Sequence, residues 1–210
     1  TETAFVHDAW SQAGFRHTDL RAVFRGIPQS GDSQTLHIWR PALQELQISP
    51  FDLTEENLEV IWHEIYKRKI TYLHGYPSAL LVLARWILKK GYERSQALSI
   101  CGLLSISEAL LLDDRKVLQS AFRNSKIVSF YGMSEKVAFA TQSAEDEEIF
   151  EFSPIYGITE LLDGDFREIT SPGDTGMLYS TGLLFDGTVF IRYETGDSAE
   201  LVESPNRDNH

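Results

Sequence analysis

The chain has 210 residues, 42% hydrophobic and 24% charged, which is enough apolar material for a packed domain and too much for a disordered one. Its 31 acidic against 19 basic residues give a formal charge of -12, the wrong sign for a nucleic-acid-binding surface. The single cysteine excludes an intramolecular disulfide and leads us to expect a reducing, cytoplasmic setting, and no apolar run approaches the roughly 18 residues of a membrane span.

In chain order, residues 55–68 place Leu58, Ile61, Trp62 and Ile65 on one helical face. Asp52 or Thr54 can cap its start, and Lys67, Arg68 and Lys69 suit the negative end of its dipole. A short β-prone run, Ile70 to His74, is closed by Gly75. Pro77 suits the first turn of a second helix, which carries Leu80, Leu81, Leu83, Ala84, Ile87 and Leu88 and ends at Gly91. Residues 98–104 read as a buried strand, which would place Cys101 in the core. A helix is expected from about 109 to 123, then a strand over 126–130 that runs into Tyr131. This β-α-β-α-β order predicts an α/β fold, a parallel sheet with crossover helices.

The texture changes after about residue 142. Glu145-Asp146-Glu147-Glu148 reads as a charged loop, and Asp163-Gly164, Gly173-Asp174 and Asp186-Gly187 favour tight turns between antiparallel strands. The expected division is an α/β subdomain over 1–142 and a β-rich lobe over 143–210.

Several chemistries have no signal. The chain has no G-x-x-x-x-G-K-[ST] loop and no G-x-G-x-x-G fingerprint. Gly132-Met133-Ser134-Glu135 approaches a nucleophile elbow, but Lys136 stands where the closing glycine belongs. The six histidines are scattered without metal-ligand spacing, and nothing singles out a glycosidase carboxylate pair.

Two short motifs remain. Tyr131-Gly132-Met133-Ser134-Glu135 lies where a buried strand ends, the position that lines the ligand crevice of α/β sheets. There an aromatic ring can stack on a base, a hydroxyl can meet a phosphate oxygen, and a carboxylate can hold Mg²⁺. Taken alone the segment is equally a strand ending in a glycine turn, with Tyr131 in the core. Arg192-Tyr193-Glu194-Thr195-Gly196-Asp197 also ends an apolar run. A carboxylate held after its Gly can accept two hydrogen bonds from vicinal ribose hydroxyls, although alone this too reads as a hairpin turn.

Together and in this order the two motifs resemble the adenylate-forming superfamily, whose pattern is aromatic-Gly-x-Thr/Ser-Glu followed later by Tyr-x-Thr-Gly-Asp. Leu73-His74-Gly75-Tyr76-Pro77-Ser78-Ala79-Leu80 and Ser49-Pro50-Phe51-Asp52-Leu53-Thr54 look like segments of its phenylacetate–CoA ligase and CapK-like branch. Ser107-Glu108-Ala109 resembles the Gly-Glu segment beside the adenine, with Ser in place of the usual Gly.

The resemblance implies part of a large N-terminal domain, a parallel sheet with crossover helices followed by a β-rich lobe. It implies that Tyr131, with Gly132 and Met133 beside it, stacks on adenine, and that the backbone of Ser107, Glu108 and Ala109 edges the ring. Ser134 would meet the α-phosphate, Glu135 would coordinate Mg²⁺ and Asp197 would bind the ribose. His74 and Tyr76 would begin the acid pocket. The implied reaction joins a small carboxylic acid to a thiol, on CoA or a carrier protein, through an acyl-adenylate made from ATP.

The family's Ser/Thr/Gly-rich phosphate loop has no counterpart between Thr1 and Arg40, and its C-terminal domain with the catalytic Lys is not in this sequence. Little adenylation by these residues alone is therefore expected. A non-catalytic nucleotide-binding module and an unrelated α/β interaction domain stay open as alternatives. The acid is not legible, since Trp62, Phe130 and Phe139 could line a pocket or fill a core.

Overall fold

The computed structural model describes residues 2–26, 35–184 and 187–202, which divide into one unit over 3–129 and another made of residue 2 with 130–202. Asp186 of the third expected turn lies outside the described residues, as does part of the stretch searched for a phosphate loop. Among the described residues no helix is long and apolar enough to cross a membrane.

The first unit contains α1 (Glu2–Ser11), β1 (Arg21–Phe24), β2 (His37–Arg40), β3 (Glu45–Ile48), α2 (Glu55–Lys67), β4 (Tyr72–Gly75), α3 (Pro77–Lys90), β5 (Gly102–Ser105), α4 (Leu112–Ala121) and the start of β6 (Lys126–Gly132). The strands lie in the order β2-β3-β1-β4-β5-β6. All neighbours are parallel except β2 on β3. This is the α/β architecture expected from the alternating pattern.

Local chemistry explains the helices. The Thr54 hydroxyl accepts from the Asn57 amide at 3.3 Å and caps α2, whose Leu58, Ile61, Trp62 and Ile65 are all buried. Pro77 opens α3, and Gly91 ends it in the left-handed conformation. Leu80, Leu83, Ala84 and Ile87 of α3 are fully buried, and each large side chain contributes roughly 2 kcal/mol of burial. The indole nitrogen of Trp62 donates to Gln96 Oε1 at 2.7 Å, so this ring is core.

Two boundaries differ from the sequence reading. Residues 96–99 form a 3-10 turn, and β5 starts only at Gly102. Cys101 therefore sits at the mouth of the strand and is exposed, not buried: its amide bonds the Thr71 carbonyl at 2.7 Å while Ile100 and Leu103 take the interior. An apolar run cannot tell a turn from a strand when both have buried neighbours. The expected helix over 109–123 is shortened to α4, because residues 106–111 form a loop with Ser107 at φ +63°.

In the second unit the end of β6 pairs antiparallel with β7 (Phe139–Gln142), which pairs with β8 (Phe150–Phe152). The acidic run at 145–148 is the loop between those two strands. A separate antiparallel sheet has the order β11-β10-β9, with β9 at Gly157–Leu162, β10 at Thr175–Gly182 and β11 at Tyr193–Glu200. Asp163 makes the turn after β9 by accepting the amides of Asp165 and Arg167 on Oδ1 at 2.8 and 2.9 Å. Phe139 is buried and stacks on Phe130, which makes it core of this unit.

His74 lies in the first unit's interior, edge-on to Trp10 at 4.7 Å, with its Nδ1–H donating to the Leu104 carbonyl at 3.0 Å. Burial, helped by the nearby Arg21 charge, pulls its pKa down to about 4. The unfolded chain takes up this proton near pH 6.5 and the folded chain only near 4, so the unfolded state binds more protons in between. Stability should be full above pH 6.5 and fall toward pH 4 by on the order of 3 kcal/mol. Denaturant titrations across that range should show this slope in the wild type and a flatter one in His74→Asn, which keeps a donor but cannot titrate.

Candidate functional site

In the second unit the two motifs meet. Tyr131 leaves β6 half-buried, its ring edge-on to Phe152 at 5.6 Å, and its hydroxyl donates to Asp197 Oδ2 at 2.7 Å. Glu135 follows on a turn closed by the Lys136 amide on the Met133 carbonyl at 3.0 Å, and Glu135 Oε1 accepts the Tyr193 hydroxyl at 3.1 Å. Each segment thus contributes one tyrosine and one carboxylate, and the pairs run crosswise, 131 with 197 and 135 with 193. Ser134 is exposed at the tip of the turn.

A bulge in β11 aims Asp197. β10 pairs Met177 with Ser198 and Tyr179 with Glu194, so Leu178 alone faces Thr195, Gly196 and Asp197. Gly196 absorbs the extra length at φ +82°, a conformation that side chains other than glycine's resist. Thr195 pins the bulge: its hydroxyl donates to the Leu178 carbonyl at 2.9 Å and accepts the Asp197 amide at 3.1 Å. The Thr-Gly-Asp run is therefore neither a hairpin turn nor a strand end. It is a distortion inside a strand.

Arg192, the residue before β11, grips Glu160 through Nε and Nη2, both at 3.0 Å, while its amide donates to the Thr181 hydroxyl. Gly157 lets β9 approach the segment that follows Glu135, because a Cβ there would lie 2.0 Å from the Val137 carbonyl oxygen. Lys136 pairs with Glu2 at 2.9 Å. Both cations nearest the two motifs in sequence are thus engaged in ion pairs, Lys136 with Glu2 and Arg192 with Glu160.

Burial and the Asp197 carboxylate push the Tyr131 hydroxyl up to about 12, and the hydrogen bond to Glu135 raises that of Tyr193. Both tyrosines stay protonated donors at neutral pH. With Oδ2 committed to Tyr131, Asp197 keeps Oδ1 for a further donor, which suits a sugar hydroxyl. Among the described residues no three His, Cys, Asp or Glu side chains cluster as a metal cage. A lone carboxylate such as Glu135 fits Mg²⁺, which takes one or two protein carboxylates and fills its shell with water and phosphate oxygens.

The remaining sequence candidates belong to the first unit. Glu108 is spent on α3: its oxygens accept the Ser78 amide at 3.0 Å and the Ser78 hydroxyl at 2.9 Å, placing negative charge on the helix N-terminus. Ser107 and Ala109 flank it, exposed. Tyr76 occupies the cap position of α3 and packs half-buried on the core, and His74 is buried as described. Sequence reasoning missed Tyr193, Thr195 and Glu160 as partners. The one available signal was the equal spacing of Tyr131 to Glu135 and Tyr193 to Asp197.

No family model matches the chain. A search of curated proteins finds 30% identity over 169 residues to protein CapK of Staphylococcus aureus, covering 78% of this chain. The chain is a CapK homologue.

The fold of this CapK homologue recurs in solved structures. The open form of 2-hydroxyisobutyryl-CoA ligase, in complex with 2-HIB-AMP and CoA, superposes with a TM-score of 0.70 at 15% identity, over 96% of this chain and 47% of that one. VinN gives 0.58 at 17% identity over 93% of this chain and 51% of its own. The luciferase-like enzyme of the mealworm Zophobas morio gives 0.59 at 16% identity over 97% and 51%. The CapK homologue spans 34% of CapK and about half of these structures.

The Tyr131–Asp197 pair has a signature at alkaline pH. A hydroxyl whose folded pKa lies above the usual 10 contributes stability that is complete below pH 10 and lost toward pH 12. The absorbance titration of wild type minus Tyr131→Phe should therefore show a midpoint near 12. Asp197→Asn should bring that midpoint down, and one near the ordinary 10 in the wild type would mean the pair does not form in solution.

Proposed function

We propose that this chain is the nucleotide-handling part of an ATP-dependent, AMP-forming ligase that joins a small carboxylic acid to a thiol. The observation that carries this reading is the crosswise pairing of Tyr131 with Asp197 and of Glu135 with Tyr193. It unites two motifs far apart in sequence around the groups that adenosine and a phosphate-bound cation require. The CapK relationship and the bound 2-HIB-AMP and CoA of the structural neighbour support the reaction class.

In this reading Tyr131 offers its ring to the adenine while its hydroxyl braces Asp197, whose free oxygen takes the ribose hydroxyls. Ser134, exposed on the turn beside Glu135, donates to an α-phosphate oxygen. Bound Mg²⁺ would supply charge neutralisation on the phosphates, held by Glu135. The carboxylate of the acid attacks the α-phosphorus, the bond to pyrophosphate breaks, and an acyl-adenylate remains. The thiol, on CoA or a carrier protein, then attacks the acyl carbon, loses its proton and releases AMP. Ser107, Glu108 and Ala109 are assigned to the adenine edge, and His74 and Tyr76 to the acid, on the family resemblance alone. A phenylacetate–CoA ligase-like acid and a cytoplasmic setting belong to the same proposal.

The test is a melting-temperature titration with AMP and Mg²⁺. A ligand that binds only the folded state stabilises it by about 2.7 kcal/mol at a hundredfold excess over Kd. The wild type should shift, and Asp197→Ala should fold without responding. Equal responses in the two would remove ribose from Asp197, and no response in either would remove the nucleotide from this site.

A further inference from the structure

We infer that Tyr193 is a positioning residue for Glu135, orienting its carboxylate so that one oxygen is left to a phosphate-bound divalent cation. The inference rests on the nucleotide reading proposed above and adds to it a residue and a division of labour. Glu135 sits half-buried on the turn between β6 and β7, where an unbraced carboxylate on its two-carbon stem would sample several rotamers. The Tyr193 hydroxyl selects one of them by donating to Oε1 at 3.1 Å. The tyrosine is itself held: its ring meets Phe190 edge-on at 5.0 Å, and its backbone pairs with Ser180 of β10. A residue of the strand thus braces a residue of the turn.

The same sheet holds Asp197 for Tyr131, so β11 carries both halves of the arrangement on one backbone, with the Thr195 bonds between them. The division follows from which oxygen is used. Oε1 of Glu135 is taken by a neutral donor, which leaves the carboxylate its charge and its second oxygen. Mg²⁺ dehydrates reluctantly and demands near-octahedral geometry, so a carboxylate oriented before binding serves it better than a mobile one. The cation-dependent part of nucleotide affinity depends on the Tyr193 hydroxyl, and the cation-free part does not.

Calorimetric titration of this chain with ATP, with and without Mg²⁺, separates the two parts. In the wild type Mg²⁺ should tighten ATP binding, and Tyr193→Phe should remove about tenfold of that gain, the scale of a lost hydrogen bond to a charged group. Its metal-free ATP and AMP affinities should stay within about twofold of wild type. Glu135→Gln keeps an acceptor for the hydroxyl but lacks the charge. It should lose the whole Mg²⁺ gain, and adding Tyr193→Phe to it should change nothing more, a coupling that general damage to the fold does not produce. An intact Mg²⁺ gain in Tyr193→Phe, an equal loss with and without the cation, or an unfolded variant would each overturn the assignment. If AMP binds the wild type through Asp197 while Mg²⁺ adds nothing, this inference fails and the nucleotide reading stands. Silence of the wild type toward both nucleotides would overturn the two together.

Discussion

The candidate site depends on a register shift between β10 and β11, where one residue, Leu178, faces three. Without that surplus Asp197 would occupy an ordinary strand position, with its direction set by the pleat. The bulge leaves the Asp197 amide for the Thr195 hydroxyl and lets the carboxylate reach the Tyr131 hydroxyl. Gly196 makes the path possible and Thr195 makes it specific. A bulge beside a carboxylate re-aims the side chain while the flanking ladder keeps its register.

Under the proposed function, charge means that the arrangement would take a nucleotide only with help. The crosswise pairs present two carboxylates, while Arg192 is committed to Glu160 and Lys136 to Glu2. Triphosphate would meet repulsion here unless a cation came with it, and the overall formal charge of -12 deepens the effect. The tyrosines answer a different need. They bind the carboxylates through neutral O–H groups, which brace without cancelling charge, and their raised pKa values keep those protons in place.

In the first unit, two of the candidate side chains also make structural bonds. The backbone of Glu108 is the part expected beside the adenine, and both of its side-chain oxygens serve Ser78 at the head of α3. His74 is a neutral interior histidine satisfied by a backbone carbonyl. Helix termini and buried rings must be satisfied whatever the protein does, and they recruit the residue types that chemistry also uses.

Much of the fold was legible in the sequence. The stripe Leu58, Ile61, Trp62 and Ile65, the Pro77 start and the Gly91 stop marked α2 and α3, because helix periodicity and capping are local. Cys101 and the late start of β5 were not legible, since a turn and a strand can share one apolar run and only the backbone bond to Thr71 separates them. By itself the sequence singled out Tyr131, Ser134, Glu135 and Asp197, the residues proposed to touch a nucleotide, because their chemistry and order are written in two short motifs. Only the tertiary structure decided that Tyr131 braces Asp197, that Tyr193 braces Glu135 and that a bulge aims the pair. Hydrogen bonds between segments 58 and 66 residues apart depend on sheet register, and no local signal carries register across such distances.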